Sequence, residues 1–180
     1  MRVRGRCPRA GATGIILAPN HQSWLDPLMV QYAVLPQRIT FLMTERFFDL
    51  PVAGLYFRAT GARPIREQGP SVAGMRAAIE ALEKGEVICL FPEGGITRTG
   101  EMGGGRRGVA RLARRTGALV VPVAVDGTMR IYSPVQRRPR RGRVTITIGS
   151  PRTYAEPHDR DGEGRFTDRL MSDLRALLGA

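Results

Sequence analysis

Residues 14–35 read GIILAPNHQSWLDPLMVQYAVL. The stretch opens with a short apolar run closed by Pro19, the length of a buried strand rather than of a core helix. It closes with a helix-start signal, Asp26 as a candidate N-cap and Pro27 at the first helical position, ahead of LMVQYAVL. Between them lies a polar loop that holds His21, one of only two histidines in the chain. Strand, loop and helix in that order form the building unit of a parallel α/β sheet.

The rest of the chain extends this unit. RITFLM (38–43) reads as a second strand, residues 44–60 as an amphipathic segment dense in aromatics and broken at Pro51, and GARPIRE (61–67) as a link with a short strand at its centre. SVAGMRAAIEALEKG (71–85) has a helical period that lines up Val72, Met75, Ile79 and Leu82, with Gly85 as its stop. EVICLFPEGG (86–95) reads as a buried strand running into glycines, 108–117 as a short helix ended by Gly117, and ALVVPVAV (118–125) as another buried strand. VTITIG (144–149) alternates like a strand with one exposed face, and a last helix from about 165 to 178 aligns Phe166, Leu170, Leu174, Leu177 and Leu178. With no repeat and no linker, the expectation is α/β: a single domain over residues 1–180 with a mixed, mostly parallel sheet flanked by helices.

Composition bounds the function. Hydrophobic residues are 42% and charged residues 24%, as in ordinary globular proteins. No window approaches the roughly 18 apolar residues of a membrane span. The basic N-terminus is followed by too short an apolar run for a signal-peptide core, which leads to the expectation of a cytoplasmic chain. The two cysteines lie far apart, and Cys89 sits in an apolar run as a small core residue. The formal charge of +12 favours an anionic partner. Of the 28 basic residues only Lys84 is a lysine, a bias that a GC-rich genome would also produce. Aromatics at 6%, with no zinc spacing and no RNA-recognition motif, weigh against a nucleic-acid-binding protein.

In α/β sheets functional groups gather where strands end and helices begin, and two loops of that kind stand out. In PNHQSWLDP, a chain curling back at the helix start would bring Asp26 to His21, and a carboxylate holding an imidazole makes a general base. In FPEGGITRTG, Glu93 is a carboxylate, Gly94 and Gly95 allow backbone N–H groups to approach an anion, and Arg98 can close over phosphate oxygens. Either loop alone is common: a helix cap beside a polar histidine, or a Gly-rich turn with a surface Glu. No G-x-S-x-G elbow marks a serine esterase, and the Ser23 hydroxyl reads as a partner for loop backbone.

Together the loops resemble the glycerolipid acyltransferases, typified by lysophosphatidic acid acyltransferase. The family's N-H-x-S-x-x-D block matches at Asn20, His21, Ser23 and Asp26. Its F-P-E-G block, with a later Arg and Gly, matches at Phe91, Pro92, Glu93, Gly94, Gly95, Arg98 and Gly100. Its V-P-V strand matches around Pro122. The resemblance, from about Val3 to Ser150, implies a glycerol-3-phosphate acyltransferase-like fold with His21 and Asp26 as catalytic base and orienting carboxylate. It implies Arg66, Glu93, Gly94, Gly95 and Arg98 as substrate-binding residues. Arg66 stands one place early against the family pattern, and Arg63 is a weaker alternative. Ile96 stands where an arginine is usual, which makes EGGITRTG resemble the lysophosphatidylethanolamine-type branch. The implied reaction moves an acyl chain from acyl-CoA or acyl carrier protein to a lysophospholipid, without metal or resident cofactor. The family's N-terminal anchoring helices have no counterpart in this sequence. The expected setting is therefore peripheral, on an anionic membrane surface at the inner face of the cell membrane, with no nucleic acid as partner.

Overall fold

The computed structural model describes residues 1–44, 49, 54–55, 63–65, 72–132 and 138–179. Its strands are β1 (Arg2–Arg4), β2 (Ile15–Pro19), β3 (Ile39–Thr44), β4 (Arg63–Ile65), β5 (Val87–Cys89), β6 (Leu119–Asp126) and β7 (Thr145–Ile148). Its helices are α1 (Asp26–Ala33), α2 (Val72–Glu83), α3 (Gly108–Thr116), α4 (Thr128–Ile131) and α5 (Arg160–Leu178). The strands form one seven-stranded sheet in the order β1-β7-β6-β2-β5-β3-β4. β2 runs parallel to β5 and β6, while β6 and β7 pair antiparallel, so the sheet is mixed and mostly parallel.

Strand β2 shows why this chain needs helices on both faces. All five of its residues are buried. Alternation along a strand sends Ile15 and Leu17 into a cluster with Val30 and Val34, from α1 and the turn after it. Ile16 and Ala18 point the other way, into a cluster with Ala78 and Leu82 of α2, Leu112 of α3 and Leu170 of α5. Fully burying each such aliphatic side chain is worth about 1.5–3 kcal/mol, so a central strand without polar positions is stable only inside a three-layer stack.

Several boundaries differ from expectation for identifiable reasons. Helix α1 starts at Asp26 itself, with Leu25 as the N-cap, because the Leu25 carbonyl already accepts Met29 N–H. The Asp26 side chain makes no cap bond, and its carboxylate turns back onto the preceding loop. β5 is shorter than 86–95, since after Leu90 N–H pairs with Leu17 O the chain turns at 92–95. In α2, Val72 is 86% exposed, while Met75, Ile79 and Leu82 pack on the core as expected, joined by Gly74, Ala78 and Ala81, small residues that let the helix sit close. Helix α5 begins at Arg160 because Asp159 caps it, accepting Gly162 N–H at 2.6 Å. β1 was not legible as a strand: Arg-Val-Arg has no buried position and is held by pairing with β7. Most of the aromatic segment at 44–60 and Arg66 lie outside the described residues.

Because β2, β5 and β6 are parallel, their C-terminal ends share one edge. The segments after Pro19, Cys89 and Asp126 meet there.

Candidate active site

The first loop is fastened before it turns. Asn20, fully buried, donates from Nδ2 to Val125 O at 3.0 Å and accepts Val125 N–H on Oδ1 at 2.7 Å, extending the β2–β6 ladder by a side chain. The next residue is His21, whose Nδ1 lies 2.9 Å from Asp26 Oδ2. The same oxygen accepts Gln22 N–H at 2.6 Å and Ser23 N–H at 2.7 Å, while Oδ1 accepts the Thr128 hydroxyl at 2.6 Å. Asp26 has no exposed surface, and a buried carboxylate is tolerable only with its lone pairs occupied in this way. Since the carboxylate accepts, Nδ1 carries the ring proton and Nε2 the basic lone pair. The ring stacks on Phe91 with centroids 3.8 Å apart and planes 19° apart, which fixes its orientation.

The second loop is tied to the first through the backbone of His21. Glu93 Oε1 accepts His21 N–H at 2.8 Å, Glu93 Oε2 accepts Gly103 N–H at 3.0 Å, and Thr97 N–H donates to His21 O at 2.9 Å. Glu93 thus spends both oxygens on loop amides. Gly94 has φ +73°, and a Cβ there would fall 2.6 Å from Arg106 Cδ and Nε, so the arginine stem lies directly across this glycine. Gly95 and Arg98 are exposed on the same loop.

The structure therefore brings His21, Asp26, Glu93 and Gly94 together, with Gly95 and Arg98 nearby in sequence on the exposed part of the loop. Arg66 lies outside the described residues, and Arg63 opens β4 at the far edge of the sheet. Three contributors were not singled out in the sequence: Phe91 under the imidazole, Arg106 across Gly94, and Thr128 on Asp26. Phe91 stood inside a matched block. Thr128 is 102 residues from Asp26, beyond any spacing rule, and Arg106 sits in a glycine- and arginine-rich loop with no distinguishing pattern. Ser23 is unsuited to be a nucleophile: its hydroxyl donates to Tyr132 O at 2.5 Å and accepts Leu25 N–H. The Cys89 thiol is pushed far up by burial and by the neighbouring charge of Asp26, so it stays a neutral core group. Among the described residues no helix is long and apolar enough to cross a membrane.

Known proteins resemble this chain in sequence and in fold. The Acyltransferase family model matches residues 1–126. The 1-acyl-sn-glycerol-3-phosphate acyltransferase of Bacillus subtilis (strain 168) is 26% identical over 80% of this chain and 69% of its own length. The protein of that name from Streptococcus pneumoniae is 25% identical over 96% of this chain, which spans 63% of that relative's length. Among solved structures, the 1-acyl-sn-glycerophosphate (LPA) acyltransferase PlsC from Thermotoga maritima superposes with a TM-score of 0.76, covering 98% of this chain and 71% of that one. At 22% identity this is a likeness of fold. With the family model spanning both of the loops that meet at His21, the chain belongs to the acyltransferase family.

Proposed function

We propose that this chain, acting as one acyltransferase domain over residues 1–180, moves an acyl group from an acyl thioester to the free hydroxyl of a lysophospholipid. The first acceptor proposed is 1-acylglycerol-3-phosphate. The observation that carries the reading is the His21–Asp26 contact of 2.9 Å, with the carboxylate buried and held by three further donors. His21 Nε2 takes the proton from the acceptor hydroxyl as its oxygen attacks the thioester carbonyl. The C–O bond forms, the C–S bond breaks, and the imidazolium returns its proton to the leaving thiolate. Asp26 keeps Nδ1 protonated and stabilises the imidazolium while it lasts. The thioester is already activated, so no acyl-enzyme is required.

Arg98 and Arg66 are the proposed phosphate forks for the acceptor, with Arg106 joining them across Gly94. Glu93 holds the two loops in register. The donor is acyl-CoA or acyl carrier protein, taken as a substrate, and nucleic acid is not a partner in this reading. The setting is the cytoplasmic face of the cell membrane, reached peripherally. The net charge of +12 and the exposed Trp24, Tyr32 and Leu35 around α1 support contact with an anionic bilayer. A second acceptor, a lysophospholipid with a phosphoethanolamine head group, is favoured by Ile96 standing in the EGGITRTG loop. Thiol release from an acyl thioester, measured against a panel of lysophospholipids, tests the proposal. Turnover highest with 1-acylglycerol-3-phosphate supports it, turnover highest with the ethanolamine lipid selects the second acceptor, and no lipid-dependent release rejects both.

A further inference from the structure

A cleft of about 610 Å³ opens beside the catalytic loop, lined among others by Gln22, Asp126, Met129, Arg130, Arg140 and Arg141. That volume is typical of small-molecule sites. Gln22 follows His21 in the chain, so the cleft borders the catalytic loop. Arginines from α4 and from the 138–143 loop line it as well.

The arginine-rich loop is docked rather than merely solvated. Arg140 N–H donates to Ile131 O at 2.8 Å. Gly127, with φ +91°, approaches Arg143 O so closely that a Cβ would lie 2.0 Å from it. Helix α4, against which the loop rests, is bonded in turn to the catalytic loop through Thr128 to Asp26 and through Ser23 to Tyr132 O. The cleft's wall and the His–Asp pair are thus parts of one hydrogen-bonded unit. Electrostatics select an anion: the lining holds three arginines against one carboxylate. That carboxylate, Asp126, already faces Arg130 at 3.4 Å, while Arg140 and Arg141 remain exposed along the loop.

We infer that this cleft receives the acyl donor, with Arg140 and Arg141 binding the phosphate esters at the end of its pantetheine arm. The inference rests on the acyl-transfer reading and adds to it the side from which the donor enters. The two substrates carry phosphate at different distances from the reacting atoms. In the acceptor, phosphate sits on the carbon next to the one bearing the hydroxyl, so it must bind in the immediate surroundings of His21. In the donor, the long pantetheine arm separates the thioester from the first phosphate. Among the described residues the cleft is lined by Gln22 and not by His21, so a phosphate held there is set apart from the imidazole, as the second spacing requires. Coenzyme A and a carrier protein share the arm's own phosphate, and the nucleotide phosphates belong to coenzyme A alone.

The test is a calorimetric titration of the whole protein with free coenzyme A, phosphopantetheine and pantetheine, without lipid. Replacing both arginines (Arg140→Ala with Arg141→Ala) should weaken coenzyme A binding about tenfold, as expected for loss of exposed charge-assisted bonds, and leave pantetheine unaffected. The double lysine variant should recover part of the loss, because it restores charge without the two-pronged geometry. Equal losses for phosphopantetheine place the contact on the arm's phosphate. A loss for coenzyme A alone places it on the nucleotide. In turnover the alanine variant should raise the Michaelis constant for the donor and not for the acceptor. The inference is overturned if coenzyme A does not bind the wild type, if the arginine variant binds it equally well, or if only phosphatidylglycerol vesicle binding or the acceptor constant changes. Absence of lipid-dependent thiol release would reject acyl transfer while the titration still reports on the cleft, so the two failures are separable.

Discussion

On Asp26, hydrogens converge from His21 Nδ1, Gln22 N, Ser23 N and the Thr128 hydroxyl, all within 2.6–2.9 Å. Thr128→Val keeps the shape and removes one donor. It should cost about 1–3 kcal/mol in denaturant unfolding, and in kinetics lower kcat more than it alters either Michaelis constant. Asp26→Asn should be more severe, because an amide turns N–H groups toward donors and no longer fixes the imidazole tautomer. If Asn at 26 turns over like the wild type, the carboxylate does not position the base. A separate outcome concerns Cys89: with its thiol raised by burial and then by the Asp26 charge, there is little thiolate at neutral pH. Folded protein should resist alkylation there, and only denaturant should expose the site, as mass spectrometry of the labelled peptide would show. The His–Asp pairing was legible because the helix-start signal put both residues on one curl of chain and the second loop completed a family resemblance, the loose spacing alone being common. Thr128 was not, since the contact depends on β6 lying beside β2.

Local sequence signals located most elements of this fold, β1 and α4 excepted, and long-range pairing set their ends. The apolar runs at 15–19 and 119–126 are strands because both faces of the sheet are covered, and there periodicity sufficed. Periodicity found the inner face of α2 through Met75, Ile79 and Leu82 but took in Val72, which points outward, and passed over the small Gly74, Ala78 and Ala81 that pack inward. It also began α5 too late, because a cap and a polar first turn, not an apolar stripe, start that helix. Asp159→Ala should therefore destabilise by about 1 kcal/mol in thermal or chemical unfolding and leave turnover intact, since α5 packs on the face away from the His loop. Gly127→Ala should lower both stability and turnover. At φ +91° and against Arg143 O, a methyl group forces the link between β6 and α4 apart. Activity should fall well beyond any change in unfolding midpoint, and a fully active variant would show that α4 does not hold the site together.

For the molecule as a whole, the proposed setting at an anionic surface rests on net charge. A net charge of +12 without a spanning helix among the described residues predicts binding to anionic vesicles that weakens steeply with salt, since exposed charges are screened over about 8 Å at physiological ionic strength. Sedimentation with phosphatidylglycerol vesicles across a salt series measures this. Release by salt is the expected result, and release by detergent alone would put the attachment on apolar insertion around Trp24, Tyr32 and Leu35 instead. The central claim is that acyl transfer runs through His21, and its most direct measurement is lipid-dependent thiol release by His21→Ala beside the wild type at matched fold stability. The account predicts that the variant unfolds as a cooperative unit, close to the wild type apart from the lost stack on Phe91, and that its turnover is abolished. A variant with normal unfolding and near-wild-type turnover would contradict it.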